Sequence, residues 1–287
     1  MVQIVSPPSN PTPVAQPVET RSSDAFVPGR RRGRWVALLA AVAVVNAALG
    51  VGALILHPGG GDPETWDGRV TDLVAFVERE RGLRFKHPVR IDFLDDGEFR
   101  EQATAHEELN EEDRAELEAT EALLRAVGLA SGDLDLESVG EELVGDGTVG
   151  LYEPETKRIA VRGKTLDNER RITLVHELTH ALQDQHFAIG EMEPETSGAQ
   201  AALIAVIEAD AEAVAEAWRQ SLPSAARDAL DSSEEATSEE ADFEGVPEVL
   251  VELMGSPYAL GPGFLDAVIA ARGEAGRDEL LRRPPTT

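Results

Sequence analysis

The chain of 287 residues contains no cysteine. Disulfides and thiolate metal ligands are therefore excluded, and any metal has to be held by histidine and carboxylate. Positive charge is scarce too: 26 Lys and Arg stand against 54 Asp and Glu. The imbalance is uneven, because residues 1–61 hold five Arg and only two acidic residues, which leaves the remainder at a net −31. A domain so acidic repels nucleic acid and anionic lipid, and no nucleic-acid partner is expected. The N-terminal stretch "SPPSNPTPVAQPVETRSSD" lacks large apolar side chains and reads as a disordered tail, with too little to bury to offset chain entropy.

One long uncharged run is present. Trp35 to Leu56 carries no charged residue, and a helix rising about 1.5 Å per residue over that run covers the roughly 30 Å of a bilayer core. Arg30, Arg31, Arg32 and Arg34 precede it, and His57 to Gly61 has no Lys or Arg. The positive-inside rule places the N-terminus in the cytoplasm and the rest of the chain outside, in a single-pass arrangement. A cleaved signal peptide is the competing reading, but its apolar region is usually only about 7–15 residues long and near the start of the chain. The expected organisation is a cytoplasmic tail at 1–34, a signal anchor at 35–56 contacting the lipid bilayer, a linker at 57–63 and an external domain at 64–287.

Within that domain, Trp66, Val70, Leu73, Val74 and Val77 recur at helical spacing. "LRFKHPVRIDFLDD" reads as extended, with Val89, Ile91 and Phe93 in alternation, and helices are expected over 97–106 and 110–129. "VGLYEPETKRIAVR", Val149 to Arg162, reads as two strands around a Pro-Glu-Thr turn. A long helix should begin near Thr165 or Asp167 and run to about Gly190, and another should cover Ala199 to Trp218. The acidic stretch from Asp231 to Gly245 is expected to be a loop. An α+β domain, mainly helical with a small edge-stranded sheet, fits this order.

"LVHELTHALQDQHF", Leu174 to Phe187, carries the chemistry. His176 and His180 are four apart, so on a helix they share a face and can offer imidazole nitrogens to one ion. Glu177 is turned by about 100° from His176, better placed to hold a water at that ion than to bind it. That is the physics of the H-E-x-x-H motif: two ligands and a general base from one turn. His186 is a poor third ligand. In sites of the form H-E-x-x-H-x-x-G-x-x-H a glycine breaks the helix, whereas here that position is Gln183. Continued helix would rotate His186 by about 240° from His180. Glu208 is the better candidate. It is the first charge after the apolar run Ala201 to Ile207, and a buried carboxylate is costly unless it is paired or coordinates a metal. Glu212, four residues on, is placed to accept an N–H bond from a liganding histidine, with Asp210 as the alternative for that outer role.

"HELTHALQD" resembles the active-site helix of the gluzincins, the thermolysin-like zinc peptidases. Their third ligand is a Glu on a later helix with a carboxylate four residues on, which matches Glu208 and Glu212 by position. "HELTHALQDQHF" followed by "VIEAD", together with "YEPETKRIAVRG" and "GSPYALGPGF", is similar to a bacterial group of membrane-anchored metallopeptidase-like proteins. The resemblance covers roughly Val149 to Phe264. It departs in having Glu212 where thermolysin-like enzymes carry Asp, and the group would be expected to continue past "RRPPTT".

The resemblance implies a zincin-like fold, bound Zn2+, and a peptide or protein substrate. Zinc would lower the pKa of its water, Glu177 would take the proton and pass it to the leaving amine, and Tyr152 or Tyr258 would be the candidate donors to the oxyanion. The strand Arg158 to Arg162 would be the edge that pairs with an extended peptide. Two other classes compete. "GKT", Gly163 to Thr165, hints at a phosphate loop, but the glycine such a loop needs five residues earlier is Arg158. An inactive zinc-containing scaffold would be expected to lack the base, and Glu177 is present.

Overall fold

Short polar residues start three of the helices. In a computed structural model, which describes residues 63–104, 111–130, 132, 134–139, 148–240 and 248–286, Asp95, Asp167 and Thr196 each accept a backbone N–H of the first turn that follows. The tail at 1–34, the anchor at 35–56 and all but the last residue of the linker lie outside the described residues. No helix among the described residues is long and apolar enough to cross a membrane.

The elements run α1 (Thr71–Arg81), β1 (Arg90–Leu94), α2 (Asp96–Ala103), α3 (Glu111–Ala126), β2 (Gly150–Glu153), β3 (Arg158–Arg162), α4 (Asn168–Phe187), α5 (Ser197–Ser221), α6 (Ser224–Glu240), α7 (Glu248–Arg272) and α8 (Glu274–Arg282). The fold is α+β, mostly helical with a three-stranded sheet of order β1-β3-β2. β1 runs parallel to β3 and β2 antiparallel to it. The strand from Arg158 to Arg162 is therefore the middle of the sheet and not its edge, because the extended segment around Ile91 pairs along its other side.

Alternation on the strands turns Tyr152, Ile159 and Val161 toward α4, where Leu174, Val175, Leu178, Ala181 and Leu182 close the main core with α1 and with Val214, Ala215 and Trp218 of α5. Burying each large aliphatic side chain contributes about 1.5–3 kcal/mol. α4 is capped by Asp167, one of the two expected residues, and stops at Phe187, three residues short of expectation. Ala188 there takes a left-handed conformation with φ 54°, and the buried Asp184 carboxylate accepts the Gly190 N–H at 3.1 Å. Of the acidic stretch expected as a loop, Asp231 to Glu240 is the end of α6, and 241–245 lie outside the described residues. Arg219 of α5 pairs with both Asp231 and Glu234, and Leu230 is buried, so an apolar contact and a shared cation help to hold this acidic helix down.

Gly163 to Thr165 forms no phosphate cradle. Gly163, at φ +97°, abuts the Arg170 guanidinium, and Lys164 pairs with Asp95 at 3.3 Å.

Behind the core lies a buried ionic cluster. Asp210 of α5, with no exposed surface, accepts from Arg81 Nε at 3.1 Å and from Arg277 Nε, while Arg81 also reaches Asp278 at 3.0 Å. The cluster ties α1 and α8, from opposite ends of the domain, to α5. Removing one partner strands a buried charge. Arg277→Ala should lower the unfolding free energy by about 3–5 kcal/mol in chemical denaturation. Arg282→Ala, on the exposed side of the same helix, should change it by about 0.5 kcal/mol or less. Equal effects would contradict a stabilising cluster.

Candidate metal centre

His176 and His180 sit one turn apart on the face of α4 turned toward α5. Their rings meet edge to face with centroids 4.6 Å apart, and their Nε2 atoms lie 2.9 Å from each other. From α5, Glu208 brings Oε2 to 3.2 Å from His176 Nε2 and 3.5 Å from His180 Nε2. Leu203 and Val206 anchor the preceding stretch of α5 in the interior, and this leaves Glu208 only 4% exposed.

Three donor atoms from two helices thus form a triangle with edges of 2.9, 3.2 and 3.5 Å. Tetrahedral zinc, with ligands at about 2.0–2.2 Å, spaces them about 3.3–3.5 Å apart, so the triangle fits such an ion with a small expansion. The donor set of two imidazoles and a carboxylate suits zinc chemistry as well.

Glu177 is held apart from this triangle, beneath the sheet. Its Oε2 accepts the Tyr152 backbone N–H at 2.7 Å. Gly150 permits that approach, since a β-carbon there would lie 2.6 Å from Thr173 Cγ2 and 3.4 Å from Glu177 Cγ.

The two tyrosines part company. Tyr152 is not a donor to the centre, because its hydroxyl donates at 2.7 Å to the buried Asp184, which also pairs with the half-exposed Lys157. Tyr258 is brought in from α7, where its hydroxyl bonds Glu208. Close helix packing makes this possible. A β-carbon on Gly261 would lie 2.4 Å from the Ala205 carbonyl oxygen of α5. Pro257 and Pro262, which interrupt the α7 hydrogen-bond ladder, flank that contact.

The outer carboxylates also differ from expectation. Glu212 Oε2 is 3.9 Å from His176 Nδ1, beyond hydrogen-bond reach, and that nitrogen has no other partner among the described residues. Asp210 faces away from both histidines into the arginine cluster, since two positions along a helix from Glu208 turn a side chain by about 200°. The residue that contacts His180 Nδ1, at 3.0 Å, is Gln183. Three residues after His180 it shares that helix face, which was the available signal. His186 is remote from the triangle and donates Nε2–H to the Arg84 carbonyl at 2.7 Å.

Burial and charge pull on these groups in opposite directions. Burial alone would lower the His180 pKa, but the Glu208 charge and hydrogen bond outweigh it and raise the group from its ordinary 6.5 to about 9. Burial likewise opposes ionisation of Glu208, yet the two histidines hold its carboxyl well below the usual range. Glu212 is raised by burial, helped by Glu216 and Glu208. Tyr258 is pushed well up by burial and by the negative field of Glu208, Glu177 and Glu212, so it keeps its proton.

Residues 93–239, just over half of the chain, match the family described as the Putative metallopeptidase family (DUF6782). The chain belongs to that family. No curated protein and no solved structure matches it. Membership in a metallopeptidase family suggests a metal-dependent hydrolase of peptides or proteins, and the buried group of His176, His180 and Glu208 suggests where a metal ion binds. The matched span contains Glu177, Gln183 and Glu212 as well, while Tyr258 and Arg277 come from the chain beyond it.

A proton competes with the metal here. Without metal, the raised His180 contributes stability that is full below pH 6.5 and lost as pH rises through about 9. The depressed Glu208 contributes stability that is present above its ordinary 4.5 and lost in acid. Metal binding must displace the His180 proton, so affinity should rise up to about tenfold per pH unit toward pH 9. Zinc should therefore raise the melting temperature more at pH 8 than at pH 6.5. Equal stabilisation at both would contradict a protonated His180 in the metal-free centre.

Proposed function

We propose that this chain is a membrane-anchored, zinc-dependent metallopeptidase of the gluzincin type. Its external, zincin-like domain hydrolyses peptide bonds at the cell surface of a bacterium. The observation that carries the reading is the triangle of His176 Nε2, His180 Nε2 and Glu208 Oε2, supplied by two helices, with Glu177 beside it but outside it. The anchor is the uncharged run from Trp35 to Leu56, with the N-terminus on the cytoplasmic side.

His176, His180 and Glu208 would hold the zinc, which when bound supplies a polarising charge for a carbonyl and an acidified water. Glu177 is the general base. One carboxylate oxygen is steadied by the Tyr152 N–H, so the other can take a proton from water and pass it to the departing amine nitrogen. Tyr258 retains its proton in this acidic surrounding and, once Glu208 is turned to the zinc, would offer its hydroxyl to a carbonyl oxygen as negative charge builds on it. Among the described strands, β2 rather than β3 is the outer strand beside Glu177, with its Tyr152 N–H engaged by that carboxylate. An extended peptide would pair there by strand addition.

Glu177→Ala should keep one zinc per chain while losing turnover of a mixed peptide library. Undiminished turnover would remove Glu177 as the base, and a parent that binds zinc without turnover would favour the inactive scaffold. Tyr258→Phe should retain zinc and lower kcat by about 10²–10³-fold, as the loss of one oxyanion donor does. An unchanged kcat would leave Tyr258 as a packing residue.

A further inference from the structure

Gln183 is 1% exposed, and both ends of its amide are engaged. Nε2 lies 3.0 Å from the Ile207 carbonyl oxygen and 2.7 Å from Asp210 Oδ2, two groups that accept. Oε1 lies 3.0 Å from His180 Nδ1. Turning the amide over would set its oxygen against two acceptors, so the donors must face Ile207 and Asp210. The oxygen must then face the ring, and Nδ1 of His180 must carry a hydrogen.

Asp210 cannot rotate to relax this. Arg81 and Arg277 hold its two carboxylate oxygens, and Arg277 Nη2 also bonds its main-chain carbonyl at 3.1 Å. The other histidine of the triangle has no such support among the described residues, where His176 Nδ1 lies within hydrogen-bond reach of no partner.

We propose that Gln183 is a positioning residue that holds His180 with Nδ1 protonated and Nε2 directed at the metal. The buried Arg81–Asp210–Arg277 cluster fixes which way round the Gln183 amide stands. This rests on the reading of the centre as a metal site, and it gives the cluster a second role besides joining α1 and α8 to α5. A hydrogen bond to the far nitrogen of a liganding histidine fixes the ring and its tautomer, and its loss typically costs about 10–100-fold in metal affinity.

Two substitutions separate positioning from packing. Gln183→Leu keeps bulk but removes the acceptor facing His180. Gln183→Glu keeps that acceptor and sets a second carboxyl against Asp210, at a cost in stability. The full chain, 15N-labelled at histidine, is studied by NMR with and without zinc, and its zinc affinity is measured against a chromophoric chelator. The parent and Gln183→Glu should show a His180 Nδ1 proton protected from solvent exchange, with closely similar zinc affinities. Gln183→Leu should lose that protected proton and bind zinc about 10–100-fold more weakly.

Three results would overturn the proposal: no protected Nδ1 proton in the parent, zinc affinity in Gln183→Leu equal to the parent's, or affinities that follow the melting temperatures of the two variants. A parent that fails to bind zinc would refute the peptidase reading. The Nδ1 proton of the metal-free chain would then still decide the role of Gln183.

Discussion

A carboxylate buried as deeply as Glu208 has to meet positive charge, since desolvation without compensation would unfold the segment that carries it or neutralise the group. Much of the domain is arranged around that requirement. α4 presents two imidazole nitrogens to the same oxygen, and α5 carries the carboxylate into the interior on an apolar run. In the metal-free centre a proton on His180 supplies the charge. A divalent cation does so better, because it meets all three donors at once. The same electrostatics therefore stabilise the fold and select the ligand.

The elements around the pair of helices control distance and orientation. The bare backbone of Gly150 lets β2 lie over Glu177, and one Tyr152 N–H then holds that carboxylate away from the triangle of donor atoms. Gly261 lets α7 touch the backbone of α5, which carries Tyr258 to Glu208. On the far side, the arginine cluster and Gln183 brace His180. The layers packed on the two helices thus divide the work, one positioning Glu177, one bringing the Tyr258 hydroxyl and one supporting the His180 ring.

Local relationships were legible in the residues, and long-range ones were not. The four-residue spacing of His176 and His180 is a property of a helix whatever surrounds it, and Asp167 caps α4 through its own first turn. Glu208 stood out because the apolar run before it demanded burial. Asp210 was the alternative to Glu212 for the outer role; helix rotation already turns it from Glu208, but its actual partners, Arg81 at 129 residues' separation and Arg277 at 67, are visible only in the fold. Tyr152 and Tyr258 could not be told apart until Asp184 had claimed the first hydroxyl. The strand order was hidden because β1 joins the sheet from far upstream, and α6 because the pairing of its acidic residues with Arg219 is tertiary.

Anomalous diffraction at the zinc edge, from crystals of the zinc-loaded chain, tests the central claim most directly. The account predicts one peak, about 2.0–2.2 Å from His176 Nε2, His180 Nε2 and a Glu208 carboxylate oxygen together. A peak that includes His186, or that leaves Glu208 out of contact, would contradict it.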